Sequence, residues 1–251
     1  MLTDAHTHLH LNDETDFEKL IENETLVAII NASSVSHYNH LSSRFLSHIN
    51  ENRVFISYGV HPWEVTGELT GEQIKLLEKA AIIGEIGMDS VWSQVPLVLQ
   101  RKTFIKQLEI ALELNKPIIL HTKGSENEIA AILEEYKKTG YDNNIAVHWY
   151  SGPEDALKRL SELDCYFTLA IDVASNPAQK KVARSVSLDR ILIESDGIEG
   201  ASWALGKDIG MAEIPCLLDT IIKEAAEIQN LESEVIKDTT YKNFLHFVHH
   251  C

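Results

Sequence analysis

The sequence predicts an α/β protein folded as a single (β/α)₈ barrel. Three observations carry that prediction. Short apolar runs rich in Val and Ile recur eight times along the chain, longer amphipathic segments separate most of them, and the length is 251 residues. One barrel of this kind typically needs about 250 residues. One domain over residues 1–251 is therefore expected. The apolar runs are Leu2–Ala5, Leu26–Ile30, Val54–Val60, Ala81–Ile86, Pro117–Leu120, Ile145–Val147, Tyr166–Ala170 and Arg190–Ile193. Continuously apolar strands belong to a parallel sheet buried on both faces. Between them, helical spacing is clearest over Val98–Leu114, where Phe104, Leu108, Ala111 and Leu112 share one face. Further helices are expected over Ser36–Asn50, Gly71–Lys79, Glu126–Lys138, Glu154–Leu163, Ala178–Ser185, Ala212–Ile228 and Glu232–Val248. Eight units favour a closed barrel, although the strand count alone leaves a doubly wound sheet open.

Composition excludes several functions. Hydrophobic residues make up 44% of the chain, normal for a globular protein with a full core. The 22 basic and 38 acidic residues give a net charge of −16, opposite to the basic surface of a non-specific nucleic-acid binder. That charge leaves room for a small phosphate ester that reaches a bound cation. Cys165, Cys216 and Cys251 form no CxxC pair, so unbridged thiols in a reducing compartment are expected. The start, MLTDAHTHLH, has no basic segment followed by an apolar one. No apolar run approaches the roughly 18–20 residues that span a bilayer. A cytoplasmic location without membrane attachment follows as the expectation, and no surface segment suggests a stable protein partner.

The polar residues at the strand ends carry the chemistry. Strand one ends in Asp4-Ala5-His6-Thr7-His8, strand three in Gly59-Val60-His61-Pro62 and strand four in Gly84-Glu85-Ile86-Gly87-Met88-Asp89. Strand five ends in His121, strand six in His148 and strand eight in Glu194-Ser195-Asp196. In a barrel these ends converge on one face, where active sites form. His6 and His8 have the i, i+2 spacing that puts two side chains on one side of a strand. A bare HxH is a weak signal, and a lone rim histidine such as His121 or His148 is more often structural. Glu85 is more telling. It lies in an apolar strand with no basic residue within five positions, and a buried carboxylate must be paired, protonated or metal-bound. Asp196 follows Ile191-Leu192-Ile193 in the same way, where a lone Asp would otherwise read as a helix cap. His6, His8, Glu85, His121, His148 and Asp196 form a mixed nitrogen and oxygen set suited to Zn²⁺, Mn²⁺, Mg²⁺ or Fe²⁺, with room for one or two ions. The absence of cysteine argues against a structural zinc site. His37, His40 and His48 read as surface-helix residues and His246, His249 and His250 as C-terminal ones; His10 is a candidate for the site mouth, though nothing in the sequence fixes it there.

These segments together resemble the TatD family of metal-dependent hydrolases within the amidohydrolase-like barrels. The matching stretches are Asp4–His8, Gly59–Pro62, Ile83–Asp89, Gln100 through Phe104 and Gln107, Lys116–Lys123, His148–Gly152, Ile193–Asp196 and Tyr241–Leu245. They run in one order along nearly the whole chain. The resemblance implies a TIM barrel, divalent metals and deoxyribonuclease activity. It also implies that His6, His8, Glu85 and Asp196 hold one metal, while Glu85, His121 and His148 hold a second with Glu85 bridging. Lys123 stands where the family usually has Arg, Ser90 where it has an aromatic residue, and the Pro that usually follows the final Asp is missing. The segment 197–210 reads as a divergent loop.

The expected reaction is metal-assisted hydrolysis of a phosphoester such as single-stranded DNA ends. Asp196 would orient or deprotonate the attacking water, Glu85 would complete the catalytic centre, and Lys123 and His61 would contact substrate. Three rivals stand beside it: hydrolysis of an amide or lactone, hydrolysis of small nucleotides or other phosphoesters, and non-catalytic metal binding.

Overall fold

The computed structural model describes residues 1–23 and 26–249. His250 and Cys251, named above, lie outside the described residues. Among the described residues there are eight strands: β1 (Leu2–Thr7), β2 (Leu26–Ala32), β3 (Val54–Tyr58), β4 (Ile82–Gly87), β5 (Ile118–His121), β6 (Ile145–Val147), β7 (Tyr166–Leu169) and β8 (Ile191–Ile193). The helices are α1 (Glu14–Glu22), α2 (Val35–Arg44), α3 (Leu46–Asn50), α4 (Gly71–Lys79), α5 (Leu97–Glu113) and α6 (Glu126–Lys137). They continue with α7 (Glu154–Glu162), α8 (Pro177–Ser185), α9 (Gly197–Leu205), α10 (Ile214–Gln229) and α11 (Ser233–His249). The strands form one sheet in the order β1 to β8, and each neighbouring pair from β1·β2 to β7·β8 is parallel.

The last strand returns to the first. The Asp196 N–H donates to the His6 carbonyl at 3.0 Å. Ser195 donates its N–H to Asp4 Oδ1 at 2.9 Å and its hydroxyl to Asp4 Oδ2 at 2.5 Å. Burial pushes the Asp4 carboxyl up to about 7, against the pull of those two Ser195 bonds. The barrel, and not the open sheet, is thus the fold.

Alternation along the strands sorts the core into two layers. Ala28, Ile30, Ile118, Leu120, Ile191 and Ile193 pack outward among the helices. Their neighbours Val27, Ile29, Ile82, Ile119, Ala146, Tyr166 and Leu192 form a separate cluster inside the barrel, joined by Phe244 and Phe247 of α11. Those two rings close the barrel end away from the strand C-termini.

Three departures from the sequence reading have physical reasons. The expected Ser36–Asn50 helix breaks at Phe45, whose ring is buried edge-on to Phe17 with centroids 5.8 Å apart. Helix α1 was not foreseen; it is short and buries only Glu14, Phe17 and Ile21. The segment 197–210 is not simply a loop, because α9 occupies its first part. Two glycines, Gly197 and Gly200, hide that helix from its sequence, and the Asp196 side chain at its start makes no capping hydrogen bond. No helix among the described residues is long and apolar enough to cross a membrane.

Candidate metal centre

The inward alternation continues past the core layer into polar residues. Two positions after Ile29, Phe55, Ile119, Ala146, Tyr166 and Leu192 stand Asn31, Ser57, His121, His148, Thr168 and Glu194, all buried. His6 and Glu85 break this alternation. The β1 register shifts between Asp4 and Thr7, and the β4 register between Ile83 and Ile86. Such irregularities re-aim a side chain, and here they bring His6 and Glu85 into the same layer as His121 and His148.

Glu85 lies at the centre with its two oxygens facing different groups. Oε1 is 2.7 Å from His121 Nδ1 and 2.8 Å from His148 Nε2. Oε2 is 3.4 Å from His6 Nε2 and 3.5 Å from His8 Nε2. Asp196 Oδ1 closes the second group at 3.3 Å from His6 Nε2 and 3.5 Å from His8 Nε2. The six residues singled out in the sequence are therefore together. Asp196 has a left-handed backbone, φ 56° and ψ 25°, and a Cβ at Gly200 would overlap its Oδ2.

The electrostatics suit cations. Among the described residues, the ion-pair partners of Glu85 are all imidazoles. Burial alone would raise the Glu85 carboxyl, but His148, His61 and His6 outweigh it and hold it well below the usual range. Burial likewise opposes charge on His148, yet Glu85 and Glu194 hold that imidazole well above its ordinary value. Nitrogen and oxygen donors converging in this way bind metal by releasing protons. The donor set accordingly fits divalent ions.

A second set of residues aims the donors. Asp89 Oδ2 faces His121 Nε2 at 3.0 Å and accepts from Trp63 Nε1 at 2.7 Å. Its Oδ1 accepts from the Val91 and Trp92 N–H groups, each at 2.8 Å. Burial works against the Asp89 carboxylate, yet His121, Trp92 and Trp63 hold its pKa below the usual range. Glu194 Oε2 lies 3.6 Å from His148 Nδ1, and neither atom has a hydrogen-bond partner among the described residues. Asn31 Nδ2 lies 3.0 Å from His6 Nδ1, while Asn31 Oδ1 accepts from Ser57 Oγ at 2.6 Å. Three buried glutamines pin the strand ends. Gln100 pairs with both backbone groups of Asp89, Gln107 with both of Val60, and Gln179 takes the Ala170 N–H. Sequence reasoning missed these supports as site residues; polar side chains on the apolar faces of α5 and α8 were the available signal.

Asp89→Asn keeps an acceptor for the two backbone N–H groups but turns an amide toward His121. Loss of such an outer partner costs about 10- to 100-fold in metal affinity. Competition with a chromogenic chelator should show a drop of that size, and unchanged affinity would dismiss Asp89 as an orienting group.

His61 and Lys123 differ in placement. His61 Nε2 lies 3.5 Å from Glu85 Oε1 and 3.3 Å from His121 Nδ1, which places it in a group that could hold a metal ion as well as beside a substrate. Burial lowers its pKa. Lys123 Nζ donates to Ser151 Oγ at 2.7 Å and sits 4.8 Å from the centre of the Trp92 ring. Both line a cavity of about 620 Å³ that also reaches Glu85, His148 and Asp196. His10 is at its mouth beside Glu199, 3.3 Å away. His40 is bound to Glu14 and His48 lies near Glu18, so neither joins the centre.

A parallel eight-stranded barrel with clustered imidazoles and carboxylates at the strand C-termini is the architecture of a metal-dependent hydrolase. The family model described as TatD related DNase matches residues 3–249, and the chain belongs to that family. The uncharacterized metal-dependent hydrolase YcfH of Escherichia coli K12 is 28% identical over 264 aligned positions, covering 99% of this chain and 96% of that protein. The human 3'-5' RNA nuclease TATDN2 is 24% identical over 192 positions, covering 72% of this chain and 25% of that protein. Among solved structures, the TatD homologue YJJV of Escherichia coli superposes with a TM-score of 0.79 at 17% identity. That match covers 98% of this chain and 97% of that one.

Proposed function

We propose that this hydrolase cleaves phosphodiester bonds at nucleic-acid ends, as a divalent-metal-dependent deoxyribonuclease. The observation that carries the reading is the split of Glu85: its two oxygens face two separate donor groups. His6, His8, Glu85 and Asp196 would hold one ion, and Glu85, His121 and His148 the other, with His61 within reach of the second. Divalent ions bound there supply Lewis acidity toward a phosphoryl oxygen and a more acidic water.

The chain's own groups do the rest. Asp196 orients the attacking water and accepts its proton through a carboxylate oxygen. Lys123 neutralises a non-bridging phosphate oxygen as a point charge, without the two-pronged grip of Arg. Asp89 and Asn31 fix the His121 and His6 rings by hydrogen bonds, and the Glu194 carboxylate faces the His148 ring without one. The 3'-5' RNA nuclease TATDN2 and the family's description as TatD related DNase support a nucleic-acid substrate.

End-labelled single-stranded DNA, incubated with protein supplied with Mg²⁺, Mn²⁺ or Zn²⁺, should shorten from its ends only when metal is present. Folded, metal-loaded protein that leaves the DNA intact would shift the assignment to a small phosphoester or an amide.

A further inference from the structure

All four tryptophans of the chain line the cavity that holds the donor set. They come from four separate segments: Trp63 after β3, Trp92 after β4, Trp149 after β6 and Trp203 on α9. Their rings meet edge to face in a chain. Trp63 and Trp92 have centroids 6.4 Å apart, Trp92 and Trp203 5.8 Å, and Trp149 and Trp203 6.0 Å. Two are tied by their indole N–H groups, Trp63 to Asp89 at 2.7 Å and Trp149 to Asp172 at 3.0 Å. Trp92 and Trp203 are half or more exposed, at 50% and 68%. Indoles left this open at a site mouth mark a surface built to bind.

The charge beside them limits what can bind. Among the described residues lining the cavity, Lys123 is the only Lys or Arg, and its ammonium lies against the Trp92 ring. Glu64, Asp172 and Glu199 line the same cavity. A strand of several phosphates would meet those carboxylates without further cations to offset them. One base among the indoles and one phosphate near Lys123 and the metal centre meet no such conflict.

We infer that the tryptophan rim is a stacking site for a single terminal nucleobase, so that the enzyme recognises one nucleotide at an end and not a length of strand. This rests on the phosphodiesterase reading above. It also gives α9 a purpose: the helix that follows Asp196 carries Trp203 over the metal centre. Base–aromatic stacking needs only a π-face, so all four bases should be accepted.

The test compares a dinucleoside monophosphate, a single-stranded decamer and the same dinucleotide lacking its terminal base. The kcat/KM values of the first two should agree within about threefold, since only one stacked base contributes. Trp92→Ala and Trp203→Ala should raise KM for both by roughly 5- to 150-fold, the loss expected for one stacked base, with kcat little changed. The Trp→Phe forms should recover much of that loss, and the abasic dinucleotide should not distinguish the variants. A gain of tenfold or more from dinucleotide to decamer overturns the single-nucleotide inference.

A binding readout separates this inference from the reaction itself. In Asp196→Asn protein, thymidine monophosphate should quench tryptophan fluorescence, deoxyribose phosphate should not, and Trp203→Ala should weaken the quench. Equal responses to the two ligands overturn the stacking site even if DNA is cleaved. A base-dependent quench supports it even if no phosphodiester is hydrolysed, in which case only the assigned reaction falls.

Discussion

Asp196→Asn is expected to lower kcat by about 10²- to 10⁴-fold, the range for loss of a general base, while leaving metal bound. The substitution is nearly isosteric. It keeps an oxygen for the group formed with His6 and His8, whose Nε2 atoms lie 3.3 and 3.5 Å from Asp196 Oδ1. What it removes is a carboxylate able to take a proton from water. The surroundings favour that charged form: burial opposes it, but the His6 hydrogen bond and the nearby His8 and His6 hold the Asp196 pKa below its ordinary value. The αL backbone and the space left by Gly200 fix the side chain, so Asn should occupy the same position. Steady-state cleavage of labelled DNA with parallel metal analysis reads both quantities. Near-normal turnover would remove Asp196 from the chemistry, and loss of metal would make it a ligand alone.

Metal removal is expected to lower Tm, and Glu85→Gln to abolish most of that dependence. Ligand at about 100 times its Kd stabilises the folded state by roughly 2.7 kcal/mol. At about 2–4 °C per kcal/mol for a chain of this size, saturating metal should raise Tm by roughly 5–10 °C, and EDTA should reverse the rise. Glu85 is the residue common to both donor groups, so its loss weakens both at once. Gln keeps the shape but gives up the negative charge that offsets the cations. Thermal melts of both proteins, with and without metal, provide the check. An equal rise in the variant would show that Glu85 does not bridge the two groups.

Much of the barrel was legible because a buried parallel strand must be apolar on both faces. That requirement marked eight strands along the chain, and the positions of His121 and His148 followed as the next inward residues after Ile119 and Ala146. The HxH of His6 and His8, the isolated carboxylate of Glu85 and the end of β8 at Asp196 were legible as residue types in the right places. Their meeting was not. Strict alternation does not bring His6 and Glu85 into the layer of His121 and His148; the register shifts in β1 and β4 do. Such shifts are set by pairing with neighbouring strands, which no local pattern encodes.

The same holds for the outer parts of the site. Asp89 could be seen in its motif, but its double grip on His121 and Trp63 needs β4, β5 and the segment after β3 side by side. The four tryptophans are up to 140 positions apart in sequence, from Trp63 to Trp203, and become one rim only when the barrel closes. The sequence by itself determined the barrel and marked the candidate donor residues, because burial and residue chemistry act locally. Tertiary structure alone decided which donors share Glu85 and which rings surround them, because both depend on how eight strand ends are brought to one face.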